Sequence, residues 1–480
     1  MSRNKKTPPH MDPSRRDFLW KGACAALTAT GIVSTINDLR LINAATAAGA
    51  TVATDYKALV CIFLFGGNDG NNVLIPTDST RYAQYSSARG VLALPAPGQT
   101  NGVLPLNATN VPTGQTYGIH PNFANVAGLF NSGKAAVLAN VGTLLAPVTR
   151  AQYLAGSVAL PPQLFSHSDQ QLEWQTSLED QPPKTGWGGR SADLLYSLNG
   201  NNSVSMNISL SGANTFQVGN TIHEYNVSSG GAVSLNLPTT TVGKNQLAAL
   251  QALINMNHEN LYESAFATEM NTAISDANTL NAAIAPTTSA SYWTTAFPAS
   301  SLGQQLRMIA RLIQAAPVLG HQRQIFFAST GGFDLHTNEG TFSGATSNAH
   351  GKLLADVDAS MNALYQATSQ LGNAPSVTQF TASDFCRTFP VNGNSGADHG
   401  WGNHHLVMGG SVVGQKIYGT FPTLQVGGPD DTNTGRWIPT TSVDQYSATL
   451  AKWFGVSSGT MGNVFPYLGR FATPDLGFMG

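Results

Sequence analysis

Three β-rich runs in this chain each end in a polar loop, and they constrain the fold more than any other feature. They lie at 57–65 (KALVCIFLF), 323–329 (RQIFFAS) and 376–383. The first is continuously apolar, which is typical of a strand buried on both faces of a sheet. A helix predicted over 121–134 and a strand over 135–141 give a β-loop-α-β order. This order predicts an α/β fold with a mostly parallel central sheet flanked by helices.

The loops after these strands carry acidic side chains and a histidine. Asp69 follows the first strand, Asp334 and His336 follow the second as a D-x-H pair, and Asp384 ends the third. Parallel strands deliver such loops to one edge of the sheet. Carboxylates gathered there repel one another unless a cation neutralises them. The pattern therefore predicts one or two divalent metal ions, with zinc favoured and calcium or magnesium as alternatives.

The stretch 381–405 concentrates further ligand types. It contains Asp398, His399, His404 and His405, so three of the eleven histidines lie within seven residues of a chain that is only 10% charged. Imidazole nitrogen and carboxylate oxygen together suit zinc. The alternative interpretation is a glycine-rich surface loop with incidental histidines.

A second motif, FSHSDQQ at 165–171, precedes a predicted helix. A serine at a helix N-terminus faces unpaired N–H groups, which favour an anion or an activated nucleophile. An N-cap serine is the structural alternative. His167 supports a chemical role, because imidazole acts as a base or as a metal ligand.

Charge and composition exclude some classes of protein. The formal net charge is −2, and residues 1–47 hold seven Lys/Arg against three Asp/Glu, so the remainder carries −6. A mildly acidic chain without a basic cluster argues against a nucleic-acid partner. Residues 210–300 are rich in Ser, Thr, Asn and Ala, with long helical patterns, and are predicted to form a cap or insertion.

The N-terminus has the pattern of a twin-arginine signal peptide. Arg15 and Arg16 precede an Ala-rich apolar run, and small residues follow at 45–47. The pattern predicts a signal peptide over 1–47, a mature domain over 48–480, and the twin-arginine translocase as a partner during export to the periplasm or beyond. No run is long enough for stable membrane insertion. A chance arginine pair before a short helix is the alternative.

Cleavage would leave two cysteines, Cys61 and Cys386. In an oxidising compartment they would form one disulfide, or each is a buried small residue. The sequence leaves both alternatives open.

Taken together, the motifs resemble one bacterial family. The resemblance rests on six sequence features: the twin-arginine start, FLFGGNDGNN at 63–72, FSHSDQQ at 165–171, GGFDLHT at 331–337, SDFCRT at 383–388 and GADHGWG at 396–402. The chain resembles domain of unknown function 1501 (DUF 1501), within the alkaline phosphatase and sulfatase superfamily. The resemblance covers essentially the mature chain and implies an alkaline-phosphatase-like fold.

The resemblance also implies a set of metal ligands. By the superfamily's arrangement, Asp69 is the first-strand aspartate, Asp334 and His336 belong to one metal site, and Asp384 belongs to the other. Phe385 follows where the superfamily usually has His. The expected substitutes are His399 with its neighbour Asp398, completed by His404 or His405.

The implied activity is hydrolysis of phosphate or sulfate esters. Ser166 is the expected nucleophile, with Ser168 in reserve, and His167 is a general acid or a further ligand. Arg387 is expected to bind the anionic oxygens of a small ester substrate, because its planar fork suits them. No Cys-x-Pro-x-Arg motif is present, so a formylglycine mechanism is not expected. The alternative is a non-catalytic exported binding or assembly protein on the same scaffold.

Overall fold

The computed structural model describes residues 55–178, 180, 184–200, 202, 204–232, 235, 240–340 and 346–480. The predicted signal peptide over 1–47 lies outside the described residues.

Helices and strands alternate along most of the described chain. The strands are β1 (Lys57–Leu64), β2 (Leu74–Pro76), β3 (Leu104–Leu106), β4 (Tyr117–Ile119), β5 (Ala135–Gly142), β6 (Asn207–Ser209), β7 (Tyr225–Ser228), β8 (Gly231–Ala232), β9 (Arg323–Thr330), β10 (Val377–Ser383), β11 (Asn403–Gly409), β12 (Ile417–Gly419) and β13 (Thr441–Ser442). The α-helices are α1 (Ser79–Arg89), α2 (Ala124–Asn131), α3 (Arg150–Ala155), α4 (His167–Thr176), α5 (Trp187–Leu195), α6 (Thr241–Ile254), α7 (Leu261–Ile284), α8 (Ser301–Leu319), α9 (Ala349–Gln370), α10 (Val443–Phe454) and α11 (Met461–Val464).

Within the described residues, ten strands form one large sheet. Its order is β12-β5-β11-β10-β1-β9-β6-β7-β8, and β13 also pairs with β5. β1 is central and lies parallel to both β9 and β10. Only β11 and β8 run against their neighbours. The predicted α/β fold with a mostly parallel central sheet flanked by helices is confirmed.

Alternate residues of β1 face two different apolar layers, which explains its unbroken apolar sequence. Val60 and Ile62 pack in a core with residues of α8 and α9. Leu59 and Phe63 pack in a second core with residues of α5 and α10. Full burial of such a side chain is worth about 1.5–3 kcal/mol, so both faces of the sheet hold the helices in place.

Most element boundaries lie within a few residues of the sequence predictions. The strand predicted over 57–65 is β1. The apolar spacing of the sequence also predicts helices over 302–315 and 347–371, and these are α8 and α9. α8 continues to Leu319, because Pro317 lies inside it rather than ending it. The helical pattern of the sequence predicts that His350 is exposed, and this is wrong: its side chain, on α9, is buried and bonds to Asn68.

Residues 234–276 form a unit separate from 51–233 and 277–480. Its described part contains α6 and the first residues of α7, and the Asn271 amide donates a hydrogen bond to Asn255. This unit lies inside the range 210–300 that the sequence predicts to be a cap or insertion. That role stays a prediction.

Cys61 and Cys386 are both free and buried, so the structure favours the second alternative for this pair. Burial raises the pKa of the Cys386 thiol to about 12, which keeps it protonated. None of the helices in the described part of the chain is long and apolar enough to cross a membrane.

Candidate metal centre

The loops after β1, β9 and β10 meet at one edge of the sheet, where β11 also begins. Gly66 and Gly67 both have positive φ angles, of 112° and 77°. A Cβ atom on Gly66 would lie 2.5 Å from the backbone nitrogen of Asp334, and one on Gly67 would lie 2.5 Å from the Phe385 ring. Both positions require glycine, because the loops touch where a side chain would stand.

Three imidazoles converge on one carboxylate oxygen at this edge. Nε2 of His336 lies 3.2 Å from Oδ1 of Asp334, Nε2 of His167 lies 3.5 Å from it, and Nε2 of His399 lies 3.8 Å from it. The Nε2 atoms of His336 and His399 are 2.8 Å apart. The four side chains come from two loops, those after β9 and β10, and from the first turn of α4.

Each of the three rings is fixed through its other nitrogen. Nδ1 of His167 lies 2.6 Å from the Asp384 carboxylate. Nδ1 of His336 lies 3.0 Å from the Asp398 carboxylate. Nδ1 of His399 lies 2.7 Å from the carbonyl oxygen of Phe165. Histidines that bind metals characteristically hold Nδ1 in this way, which leaves Nε2 directed at the ion.

The set fits a divalent ion. Nε2 of His167 is buried and has no hydrogen-bond partner, and an unsatisfied buried polar atom carries a free-energy cost. A tetrahedral zinc ion with metal–nitrogen bonds of about 2.0–2.1 Å has ligand atoms about 3.3 Å apart, close to the separations around Asp334. His167, Asp334 and His399 form the one group of potential ligands found in the described part of the chain.

The ionisable side chains influence one another's pKa. The hydrogen bond to Asp384 raises the pKa of His167 above its usual value. Burial lowers the pKa of His399. Burial alone would raise the pKa of Asp334, but the hydrogen bond and charge of Arg387 hold it below the usual range. The carboxylate at the centre of the cluster is therefore ionised at neutral pH.

Asp384 lies beneath the cluster and is fully buried. Its carboxylate accepts hydrogen bonds from the backbone N–H of Gly66, at 3.2 Å and 3.3 Å, and from the Gln171 amide, at 2.8 Å. The structure thus places Asp384 behind His167 rather than among the converging atoms. Phe385 packs against the rings of His167 and His399 at centroid distances of 4.8 Å and 4.7 Å.

Arg387 joins the strand-end loops. Its buried guanidinium donates to the carbonyl oxygens of Gly66, Gly67, Phe333 and Ala397, and to the Asp334 carboxylate at 2.6 Å. These partners occupy all three guanidinium nitrogens.

Asp69 lies in a separate buried group. Its carboxylate caps the short helical turn that follows β1 and pairs with Arg89, and the second carboxylate of the group is Glu339. Burial and the charge of Asp69 raise the pKa of Glu339 well above its usual value, which favours the neutral form of that side chain. His350 is 3.9 Å from Glu339, and burial lowers its pKa to about 4. Here a guanidinium supplies the positive charge that the sequence assigned to a metal.

His404 and His405 are buried on β11, outside the converging group. Nδ1 of His404 accepts a hydrogen bond from the backbone nitrogen of Asn140 at 3.0 Å, and its ring stacks on Phe421. Burial lowers the pKa of both histidines to about 3, so both are neutral.

Ser166 is the N-cap residue of α4 and adjoins the cluster in sequence. Its hydroxyl bonds to the carboxylate of Asp169 and to the hydroxyl of Ser168. None of its bonds within the described residues reaches Asp334 or the three histidines, and its role as a nucleophile stays a prediction.

Three residues in and around the site, Gln171, Glu339 and Arg89, are not among the site residues predicted from the sequence. Gln171 stands in the FSHSDQQ motif, but nothing local indicates that it reaches Asp384. Glu339 follows His336 by three residues, so its place in the loop was a usable signal. Arg89 has no local signal, since its partner Asp69 is identified only by the fold.

The family comparison covers most of the chain. A family model described as "Protein of unknown function (DUF1501)" matches residues 56–434. The chain belongs to the DUF1501 family. The match includes the loops after β1, β9 and β10, and it ends between β12 and β13. The family resemblance inferred from the motifs is therefore confirmed.

Solved structures resemble this DUF1501 chain only distantly. One, the crystal structure of Ps i-CgsB in complex with k-i-k-neocarrahexaose, has 9% identity and a TM-score of 0.35, and the match covers 88% of this chain and 78% of that one. Another, the PsFucS1 sulfatase from Pseudoalteromonas sp., has 10% identity and a TM-score of 0.34, with 89% and 72% covered. No curated protein matches the DUF1501 chain in sequence.

Proposed function

We propose that this protein is an exported, metal-dependent hydrolase of phosphate or sulfate monoesters. The observation that carries the proposal is the convergence of three Nδ1-anchored histidines on Asp334 at a solvent-open edge of the sheet. The Asp334 side chain is 52% exposed and that of His336 is 40% exposed. Water and a small substrate therefore have access to the centre.

The ligands of the proposed ion are His167, His336, His399 and Asp334, and we favour one zinc ion rather than two. A bound divalent ion would supply Lewis acidity, and catalysis with these four ligands would require zinc to take a water or a substrate oxygen as a fifth ligand. Asp69 is already paired with Arg89, so its position carries no second ion in this proposal. Asp384 and Asp398 hold two of the rings in the orientation that binding needs.

The reaction adds water across an ester bond. The bond from phosphorus or sulfur to the ester oxygen breaks, the attacking oxygen joins phosphorus or sulfur, and the leaving oxygen takes a proton. Two sources of the attacking oxygen remain in the proposal. One is Ser166, whose contact with Asp169 provides an acceptor for its proton. On this route the group is first transferred to the serine oxygen, and water then breaks that new ester bond, which releases phosphate or sulfate and returns the proton to Ser166. The other is water at the exposed side of the cluster.

Export is part of the proposal and rests on the sequence. The paired arginines and the small residues at 45–47 have the pattern of a twin-arginine signal peptide. That route places the mature protein in the periplasm or outside the cell. Fusion of residues 1–50 to a reporter that requires this route would test it, with Arg15→Lys, Arg16→Lys as the matched variant.

Activity is tested on zinc-loaded mature protein with aryl phosphate and aryl sulfate monoesters. The expected result is metal-dependent turnover that His399→Ala abolishes. Ser166→Ala separates the two attack routes, since loss of turnover indicates serine and retained turnover indicates water. If the zinc-loaded protein hydrolyses none of these esters, the proposal that it is a hydrolase is contradicted.

One observation favours a second function, a metal-stabilised binding or assembly protein. Four protein ligands around one ion make the closed set typical of a structural zinc site. Under that function the protein holds zinc but turns over no ester, and Asp334→Asn lowers its thermal stability as well as its metal content.

A further inference from the structure

Arg436 lies at the rim of the candidate metal centre, beyond the stretch that the family model matches. Its Nε donates a 2.7 Å hydrogen bond to the backbone carbonyl of His399. Its guanidinium carbon lies 4.0 Å from the centre of the Phe165 ring. Phe165 is also the residue whose carbonyl fixes Nδ1 of His399. Arg436 is therefore held against two residues that build the centre.

The two terminal nitrogens of Arg436 are the remaining donors. Within the described residues, no hydrogen bond or ion pair engages either of them, and the side chain is partly exposed. Stacking on an aromatic ring fixes the plane of a guanidinium without occupying its terminal N–H groups. Arg387 contrasts with this arrangement, because the protein itself occupies all of its nitrogens.

The local charge balance favours an incoming anion only when Arg436 is counted. Asp334, Asp384 and Asp398 bring three negative charges, which Arg387 and one divalent ion offset. Arg436 adds one net positive charge, and it acts on Asp398 electrostatically. A planar guanidinium with two free N–H edges suits a tetrahedral oxyanion through paired hydrogen bonds.

We propose that Arg436 binds the anionic phosphate or sulfate group of the substrate, in the position that the sequence assigned to Arg387. The inference rests on the proposed function, because it places the anion beside the same centre. Arg436 is a substrate-binding residue here, since its donors contact the anion directly.

The test measures binding of inorganic phosphate and of inorganic sulfate to zinc-loaded protein by titration calorimetry. Arg436→Gln is expected to weaken binding of the preferred anion at least tenfold, and Arg436→Lys is expected to weaken it less. Arg470→Gln is the matched control, because Arg470 also stacks on an aromatic ring, that of Tyr467. This control substitution is expected to leave the anion affinity unchanged. Whichever of the two anions binds the wild-type protein more tightly identifies the ester class.

Zinc content is measured in every sample. Unchanged anion affinity in Arg436→Gln with zinc retained would overturn the inference alone, as would failure of the loaded wild-type protein to bind either anion. Absence of zinc in the wild-type protein would instead overturn the proposed function. The two failures are therefore distinguishable.

Discussion

Asp384 holds His167 through a 2.6 Å contact, although 217 residues separate them in the chain. Asp384 directly follows β10 and His167 begins α4, so the fold alone brings them together. The contact leaves Nε2 of His167 buried, without a partner and directed at Asp334. This relationship links the architecture of the sheet to the chemistry of the centre.

Removing the charge of Asp384 is expected to weaken metal binding without removing a ligand. Asp384→Asn is expected to lower zinc affinity by about 10–100-fold, the usual effect of losing an outer-sphere carboxylate. Competition with a chromophoric chelator measures it. Asp193→Asn is the control, because Asp193 is bonded to the backbone of residues 220–222 and takes no part in the cluster. Equal affinities in the two variants would contradict the assignment of Asp384.

Arg387 is expected to be essential for stability. Lysine retains the charge but cannot reach the carbonyl groups of three loops at once. Because hydrogen bonds that involve a charged group contribute about 1.5–3 kcal/mol each, Arg387→Lys is expected to lower the free energy of unfolding by at least about 3 kcal/mol. Denaturant unfolding measures it. A loss below about 1 kcal/mol would show that these bonds are dispensable.

The buried group around Asp69 predicts a large loss of stability for one substitution and a small change for another. Arg89→Met leaves the Asp69 carboxylate buried without its partner, which is expected to cost about 3–5 kcal/mol. Glu339→Gln replaces a neutral carboxyl with a neutral amide of similar shape, and its expected effect is within about 1 kcal/mol. Denaturant unfolding of both variants at pH 7 checks the pair. A large loss in Glu339→Gln would show that Glu339 is ionised.

Glu173 predicts a pH dependence of stability. Its side chain is 5% exposed, and burial raises its pKa from 4.5 to about 8. The folded state therefore retains a proton that the unfolded chain releases above pH 4.5, so stability is full below that pH and is lost as pH rises toward 8. Between pH 5 and 8 the wild-type protein is expected to lose on the order of 3 kcal/mol more than Glu173→Gln. If the free energy of unfolding falls equally with pH in the two proteins, the raised pKa of Glu173 is contradicted.

The edge of the sheet that carries the candidate site was predictable from the sequence, but many contacts of its residues were not. β1, β9 and β10 were predictable because buried strands have long apolar or β-branched runs, and their loops share an edge because parallel strands point the same way. Asp334, His336 and His399 stand in those loops, and the structure brings them together with His167.

The roles of the other predicted residues depend on contacts between distant segments. Asp69 pairs with Arg89 from the next helix, and Arg387 donates to backbone carbonyls that no motif identifies. His350 was predicted to be exposed, because the helical pattern alone did not show that loop residue Asn68 covers that turn of α9. Arg436 lies far along the chain from Phe165, and only the folded structure places its guanidinium on that ring.

The most direct test of the account is the metal content of the mature protein after loading with zinc and removal of excess ion. Elemental analysis is expected to find about one zinc per chain, and a His167→Ala, His336→Ala double variant that remains folded is expected to retain almost none. No zinc in the folded wild-type protein, or the same amount in both proteins, would contradict the proposal that these histidines form a metal centre.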